Sequence, residues 1–244
     1  MSKVDIILEK EITGKKPIII EGFPGIGLIG NIVTQHIVST GNFEEIGSIH
    51  SNELPPVAVV YKGEINHPIR IYQKENFVIL VSDIPISPSF SNDLADEITR
   101  WAKEINTRKL ISVAGISTMA QDSHRVFGAA INKEVLKEIE DVAEVFSAGN
   151  ITGISGSILT QSLIREIPAI SLLGETMGNT PDPRAAASVI KVLNDVYSLN
   201  IDTDKLLDQA EKIEQEMERL AQRMQDIGEE KDEAKKTAPP SMYR

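Results

Sequence analysis

Apolar residues in this chain gather into short β-branched runs separated by longer stretches at helical spacing. The run Ile18-Ile19-Ile20 follows Pro17 and precedes Gly22 and Pro24, the pattern of a buried strand bounded by turn residues. An apolar helical pattern then passes from about Leu28 through Ile32, Val33 and Ile37, so the opening unit is strand, glycine loop, helix. Ahead of it, residues 4–8 read as a strand. Behind it, strand-like runs at 57–61, 69–73 and 77–82 have no helix between them and predict meander or hairpin structure on the sheet. Ser91 or Asn92 is placed to cap a helix carrying Leu94, Ile98, Trp101 and Ile105. Residues 109–114 read as a strand, 115–126 as a polar irregular stretch, and about 132–142 as a helix. A loop of small residues at 149–157 leads into a helix through about Glu166, residues 168–173 give another strand, and Pro183 opens a helix over 185–199. From Phe77 onward strands alternate with helices. The expected body is therefore a three-layer α/β fold, a mostly parallel sheet flanked by helices, ending near Asn200.

The pattern changes after that point. Leu206, Ala210, Ile213, Met217, Leu220, Met224 and Ile227 are separated by alternating steps of four and three, a heptad seam of about three repeats. Such a helix packs either on its own domain or on a partner subunit, and the spacing alone leaves both open. Beyond Gly228 the composition collapses to EEKDEAKKTAPPS, which has no core-forming residues and reads as a flexible tether. The expected organisation is an α/β domain at 1–200, a heptad-patterned helix at 201–227 and a tail at 228–244. That tail ends in Met242-Tyr243-Arg244, two sizeable apolar-bodied side chains and a free carboxylate, which together look like a docking motif.

Composition narrows the function. The chain has 244 residues, a formal net charge of −11 and no cysteine. An acidic surface disfavours nucleic-acid binding, and the missing cysteines exclude disulfides and thiolate chemistry. The first residues lack the apolar core of a signal peptide, and no apolar run reaches the roughly 18 residues that span a bilayer. A soluble cytoplasmic protein is expected.

Several motifs invite a chemical reading. Gly25-Ile26-Gly27-Leu28-Ile29-Gly30 matches the dinucleotide fingerprint G-x-G-x-x-G after a strand and before a helix. That fingerprint needs a second parallel strand, here 43–51, ending in an acid, here Glu53. Glu53 instead precedes Leu54-Pro55-Pro56, a loop signal. Gly22, Gly25, Gly27 and Gly30 are therefore read as a structural glycine loop, allowing a tight turn and close helix–strand packing. No Lys-Ser/Thr pair follows them, so a P-loop is excluded. Ser155 and Ser157 lie in Gly-Ile-Ser-Gly-Ser, which lacks the spacing of a nucleophile elbow. Asp122, Ser123 and His124 are adjacent in sequence and so point in different directions. Asp83, Glu175 and Asp182 fall at strand or helix ends, where α/β folds place ligands but where capping explains them equally well. His36, His50, His67 and His124 show no ligand spacing. No catalytic residue, cofactor or metal is assigned.

The segments Glu21–Ile32 (EGFPGIGLIGNI), Ser51-Asn52-Glu53-Leu54-Pro55-Pro56, 149–156, Gly174-Glu175-Thr176 and Pro181-Asp182-Pro183-Arg184-Ala185-Ala186 together resemble the archaeal branch of the proteasome assembly chaperone family. These are the homologues of the second assembly chaperone, and the resemblance covers about residues 6–199. It implies a nucleoside-phosphorylase-like α/β body, homo-oligomers and no established catalysis. Met242-Tyr243-Arg244 matches the hydrophobic–tyrosine–any (HbYX) motif with which activators and chaperones dock between α subunits of the proteasome core particle. The resemblance implies that the Arg244 carboxylate pairs with a partner lysine. The competing expectation is a binder of, or enzyme on, a nucleoside-like small molecule, using Gly25–Gly30 and Gly174–Arg184.

Overall fold

The computed structural model describes residues 4–118, 124–178 and 180–211. The isoleucine run forms strand β2 (Ile18–Gly22), following a short edge strand β1 (Asp5–Leu8). A 3-10 turn at Ile26–Leu28 carries the chain into α1 (Ile29–Thr40). Next come β3 (Glu44–His50), a separate pair β4 (Val59–Tyr61) and β5 (Glu64–Asn66), then β6 (Ile69–Lys74) and β7 (Phe77–Ser82). Helix α2 (Pro88–Glu104) has proline in its first turn, where the missing N–H costs nothing. It leads to β8 (Lys109–Ser117) and β9 (Val126–Ala130). A single helical turn, α3 (Lys133–Leu136), precedes β10 (Glu144–Val145), and α4 (Gly153–Arg165), β11 (Ala169–Thr176) and α5 (Pro183–Tyr197) complete the body.

Among the described residues, nine strands make one sheet in the order β1-β3-β6-β7-β2-β8-β11-β9-β10. The four central strands β7, β2, β8 and β11 run parallel. On one side β6, β3 and β1 continue antiparallel, and on the other β9 pairs antiparallel to β11 with β10 parallel beyond it. Only half of the neighbour pairings are parallel, so the sheet is mixed rather than mostly parallel. The reason is visible in the connections: β6 and β7 are joined by a tight turn, which permits only an antiparallel neighbour.

Two layers of helix cover this sheet. Ile19, Val78, Leu80 and Leu110 share a core with Phe90, Leu94 and Ile98 of α2 and Ile154 and Ile158 of α4. The alternate strand residues Ile18, Ile20, Ile79 and Ile111 are equally buried and face the other way, because side chains alternate along a strand. On that opposite face Ile29 of α1 and Val189 of α5 meet over Gly174 of β11.

Two local expectations are corrected. The helix read over 132–142 is helical only over Lys133–Leu136, where the Asn132 side chain caps it by accepting from the Val135 amide. After Leu136 the amides of Glu138, Ile139 and Val142 bond three residues back while those of Lys137, Glu140 and Ala143 bond four back, so the segment continues as mixed turns rather than a regular helix. The run at 57–61 does not join the main sheet. Its strand, β4, pairs among the described residues with β5 alone and forms a two-stranded ribbon on the excursion between β3 and β6.

Two units divide the chain, 1–203 and 204–244. Residues 204–211, including Leu206, are helical. Ile213, Met217, Leu220, Met224 and Ile227 lie outside the described residues. Among those that are described, no helix is long and apolar enough to cross a membrane.

Candidate functional site

The carboxyl ends of β2, β8 and β11 open onto one edge of the sheet, and the segments singled out in the sequence converge there. A Cβ on Gly22 would lie 2.1 Å from the Gly30 carbonyl oxygen, and one on Gly30 would lie 2.4 Å from that of Val113. Both distances are impossible, so α1 is seated against β2 and β8 at backbone contact. Thr34 fastens the seat by donating to the Gly22 and Gly30 carbonyls at 3.1 Å each. Gly27 has φ +62° and lies against Thr176 at the end of β11. Its carbonyl accepts from the Asp182 amide at 3.0 Å, which ties the glycine loop to the start of α5. A cleft of about 230 Å³ lies between this loop and the start of α4, lined by Phe23, Gly25, Ile26, Ile151, Gly153 and Ser155 among others.

Below the start of α4 sits Glu21, fully buried on the same face of β2 as Ile19. Its carboxylate accepts from the Phe23 amide at 3.3 Å and from the Ser155 hydroxyl at 3.4 Å. Ser112 lies opposite it in register on β8. No cation is among these partners. Burial dominates and pushes the carboxyl up from 4.5 to about 7.

A second carboxylate, Glu175 near the end of β11, is almost fully buried but well paired. Arg125 grips it bidentately, Nε to Oε2 at 3.0 Å and Nη2 to Oε1 at 2.8 Å. Thr118 adds a bond at 2.8 Å. The other Arg125 nitrogen, Nη1, reaches Glu144 at 3.3 Å. Glu175 thereby ties Thr118, just past the end of β8, to Arg125, just before β9.

Other candidates acquire local roles. Asp182 caps α5 by accepting from the Ala185 amide at 2.9 Å, and His124 Nε2 stands 3.7 Å from the same carboxylate. Asp83 pairs with Arg70 at 2.6 Å and accepts from Gln35 at 2.6 Å. Ser157 bonds Asn92 at 2.9 Å. Ser155 and His124 therefore engage different acids. The strand that a dinucleotide fold would lay beside β2 is β3, yet β2 has β7 and β8 as neighbours, so the geometry of that fingerprint is not formed. Gln121, Asp122 and Ser123 lie outside the described residues, as do Met242, Tyr243 and Arg244. Among the described residues no group of three or more acidic, histidine or cysteine side chains is placed to hold a metal. Sequence reasoning missed the buried state of Glu21 and Arg125 as the clasp; an arginine beside a polar stretch was the one available signal.

A mixed sheet sandwiched by helix pairs, with glycine-mediated backbone contacts at the strand ends, defines a class of α/β protein whose strand-end loops are knitted together. Within that class the chain belongs to the PAC2 family, whose model matches residues 19–221. A crystal structure of Pyrococcus furiosus PbaA, described as an archaeal homologue of proteasome-assembly chaperone, is 34% identical. It superposes with a TM-score of 0.85, covering 96% of this chain and 98% of that one. Pyrococcus furiosus PbaB, described as an archaeal proteasome activator, shares the fold at 22% identity and a TM-score of 0.81, over 91% of this chain and 100% of that one. An uncharacterised protein of Methanocaldococcus jannaschii is 34% identical over 222 residues, 91% of this chain and 92% of its own length.

Proposed function

We propose that this protein is a proteasome-directed chaperone or activator-like factor. It acts as a homo-oligomer and docks on α subunits of the core particle through Met242-Tyr243-Arg244. The observation that carries the reading is the near full-length match, at 34% identity, to a structure described as a proteasome-assembly chaperone homologue. The terminal Met-Tyr-Arg supports it from the sequence. In a pocket between α subunits, Met242 buries apolar area, the Tyr243 ring packs while its hydroxyl finds a partner, and the terminal carboxylate meets a lysine. One such tail binds weakly. An oligomer presents several tails to a ring of pockets and gains avidity of about two or more orders of magnitude.

The test is a pull-down of α subunits and assembled core particle by the intact protein and by a chain lacking 242–244. Capture by the intact protein alone supports the reading. Equal capture by both transfers docking to the body, and no capture by either defeats the reading.

One observation favours a second reading, a binder of a nucleoside-like small molecule. The cleft of about 230 Å³ has a buried, cation-free carboxyl beneath it and runs past Gly25 and Gly153, where an added Cβ would meet no close neighbour. The cleft uses the first glycine loop and the start of α4, not 174–184. A dose-dependent rise in melting temperature across a nucleoside and nucleotide panel would favour it; a flat panel would remove it.

A further inference from the structure

The excursion between β3 and β6 carries an arm that the rest of the described fold leaves bare. Its turn, Lys62-Gly63, has φ +52° and +87°, the two positive values of the tight hairpin turn that matches strand twist. The Lys62 ammonium lies 5.1 Å from the centre of the Tyr61 ring. Val60 and Ile65 stand directly opposite each other in register, on one face of the ribbon, 65% and 78% exposed. Val57 and Tyr61 are exposed as well. A two-stranded ribbon with three residues per strand is marginal in water on its own. Here it holds a preformed turn and offers an apolar pair to solvent.

At the other end of the sheet lies an apolar groove of about 280 Å³ between β9 and α4, formed by Ala129, Ala130, Ile131, Ile151, Leu159 and Leu163 with Thr160. Leu163 is 59% exposed, and Ile164 beside it 67%. No residue lining the groove is charged. The arm face is uncharged too, since Lys62 and Glu64 occupy the turn end and offset each other. In a chain of net charge −11, an interface between copies is favoured where neither side adds charge, and these are two uncharged apolar surfaces. Their placement matters most. The arm springs from the second and third strands of the sheet, and the groove lies at the eighth strand. A knob and a groove at opposite ends of the sheet do not meet within one molecule; a contact between them is a head-to-tail contact between copies.

We propose that the β4–β5 arm of one copy docks, through Val60 and Ile65, into the β9–α4 groove of the next. This would make the arm and the groove the two halves of a heterologous interface between copies. The inference rests on the homo-oligomer reading and names its contact surface.

Full-length parent, Val60→Asp/Ile65→Asp and Leu163→Asp/Ile164→Asp are compared by light scattering, with circular dichroism and melting curves as fold controls. All four side chains are exposed, so melting should be unchanged. A Val60→Thr/Ile65→Thr variant serves if the aspartates disturb the ribbon. The parent should scatter as a multiple of 26.8 kDa, and each double variant as a single chain. Mixing the two variants should double the mass and go no further, because the arm-defective chain still has its groove and the groove-defective chain its arm. A mixture that stays monomeric overturns arm-in-groove docking. Arm variants that keep the parent mass overturn it as well. If Ile213→Asp/Leu220→Asp alone dissociates the protein, the interface is the heptad helix. A monomeric parent removes the homo-oligomer reading itself, and with it this interface.

Discussion

At the scale of single residues, Glu21 and Glu175 show two ways of burying a carboxylate, and Glu21 carries a pH dependence. Glu175 is matched by a bidentate arginine and a threonine. Glu21 has an amide, a serine and, among the described residues, no counter-charge. With its folded value near 7 and its unfolded value near 4.5, the folded state binds more protons than the unfolded state between those values. Stability contributed at Glu21 is therefore greatest below about pH 4.5, falls as pH rises to about 7, and is flat above. The full window corresponds to about 3 kcal/mol as an upper figure. Glu21→Gln removes the titration, so urea melts should show the variant more stable than the parent at pH 8 and close to it at pH 5. An identical difference at both pH values would mean that Glu21 is ionised throughout. None of this was legible in the sequence. The burial depends on α4 crossing over the end of β2, and Ser155 is 134 residues away.

At the scale of elements, the glycine loop gives a graded prediction. The four glycines look alike in the sequence, yet they differ in what surrounds them. A methyl on Gly30 meets backbone of β8 and β2 that cannot yield without moving α1 off the sheet. Gly30→Ala should lower stability by about 1–3 kcal/mol or more. Gly27→Ala must hold a left-handed φ beside Thr176, at a cost of about 1–2 kcal/mol. Gly25 has an extended φ of −155°, and only the Phe23 carbonyl oxygen comes as near as 4.0 Å, so Gly25→Ala should melt with the parent. Denaturant titrations of the three variants check the order, and equal losses at all three would defeat the steric account. The elements themselves were legible where periodicity was strong. The isoleucine run gave β2, and residues 77–82 were read as the strand Phe77–Ser82 that forms. Glu-Ile-Asn of β5 and Val-Phe-Gly-Ala-Ala of β9 went unseen because each is short and neither alternates clearly. The mixed sense of the sheet was hidden for a deeper reason. Alternation reports which face of a strand is buried, not which strand lies beside it.

At the scale of the whole molecule, the proposed function separates a recognition element of three residues from a body that multiplies it. Deleting 242–244 or changing Tyr243→Ala should leave melting temperature and subunit number unchanged, because on this reading the tail serves docking and not the core. Either change should sharply reduce binding to the core particle. Tyr243→Phe isolates the hydroxyl, with an expected loss of about 1 kcal/mol per tail, amplified when several tails engage. Residues appended after Arg244 should be as damaging as deletion, since they remove the terminal carboxylate from its place. Avidity makes the sharper demand. A monomeric arm variant keeps an intact tail, so it should still bind the core particle, but about a hundredfold or more weakly than the parent. It should also compete with parent at high concentration, where the tail-deleted oligomer should not. Titrating labelled core particle with these three proteins separates the contributions. If the monomeric variant binds as tightly as the parent, multivalency plays no part and a single docking contact carries the affinity.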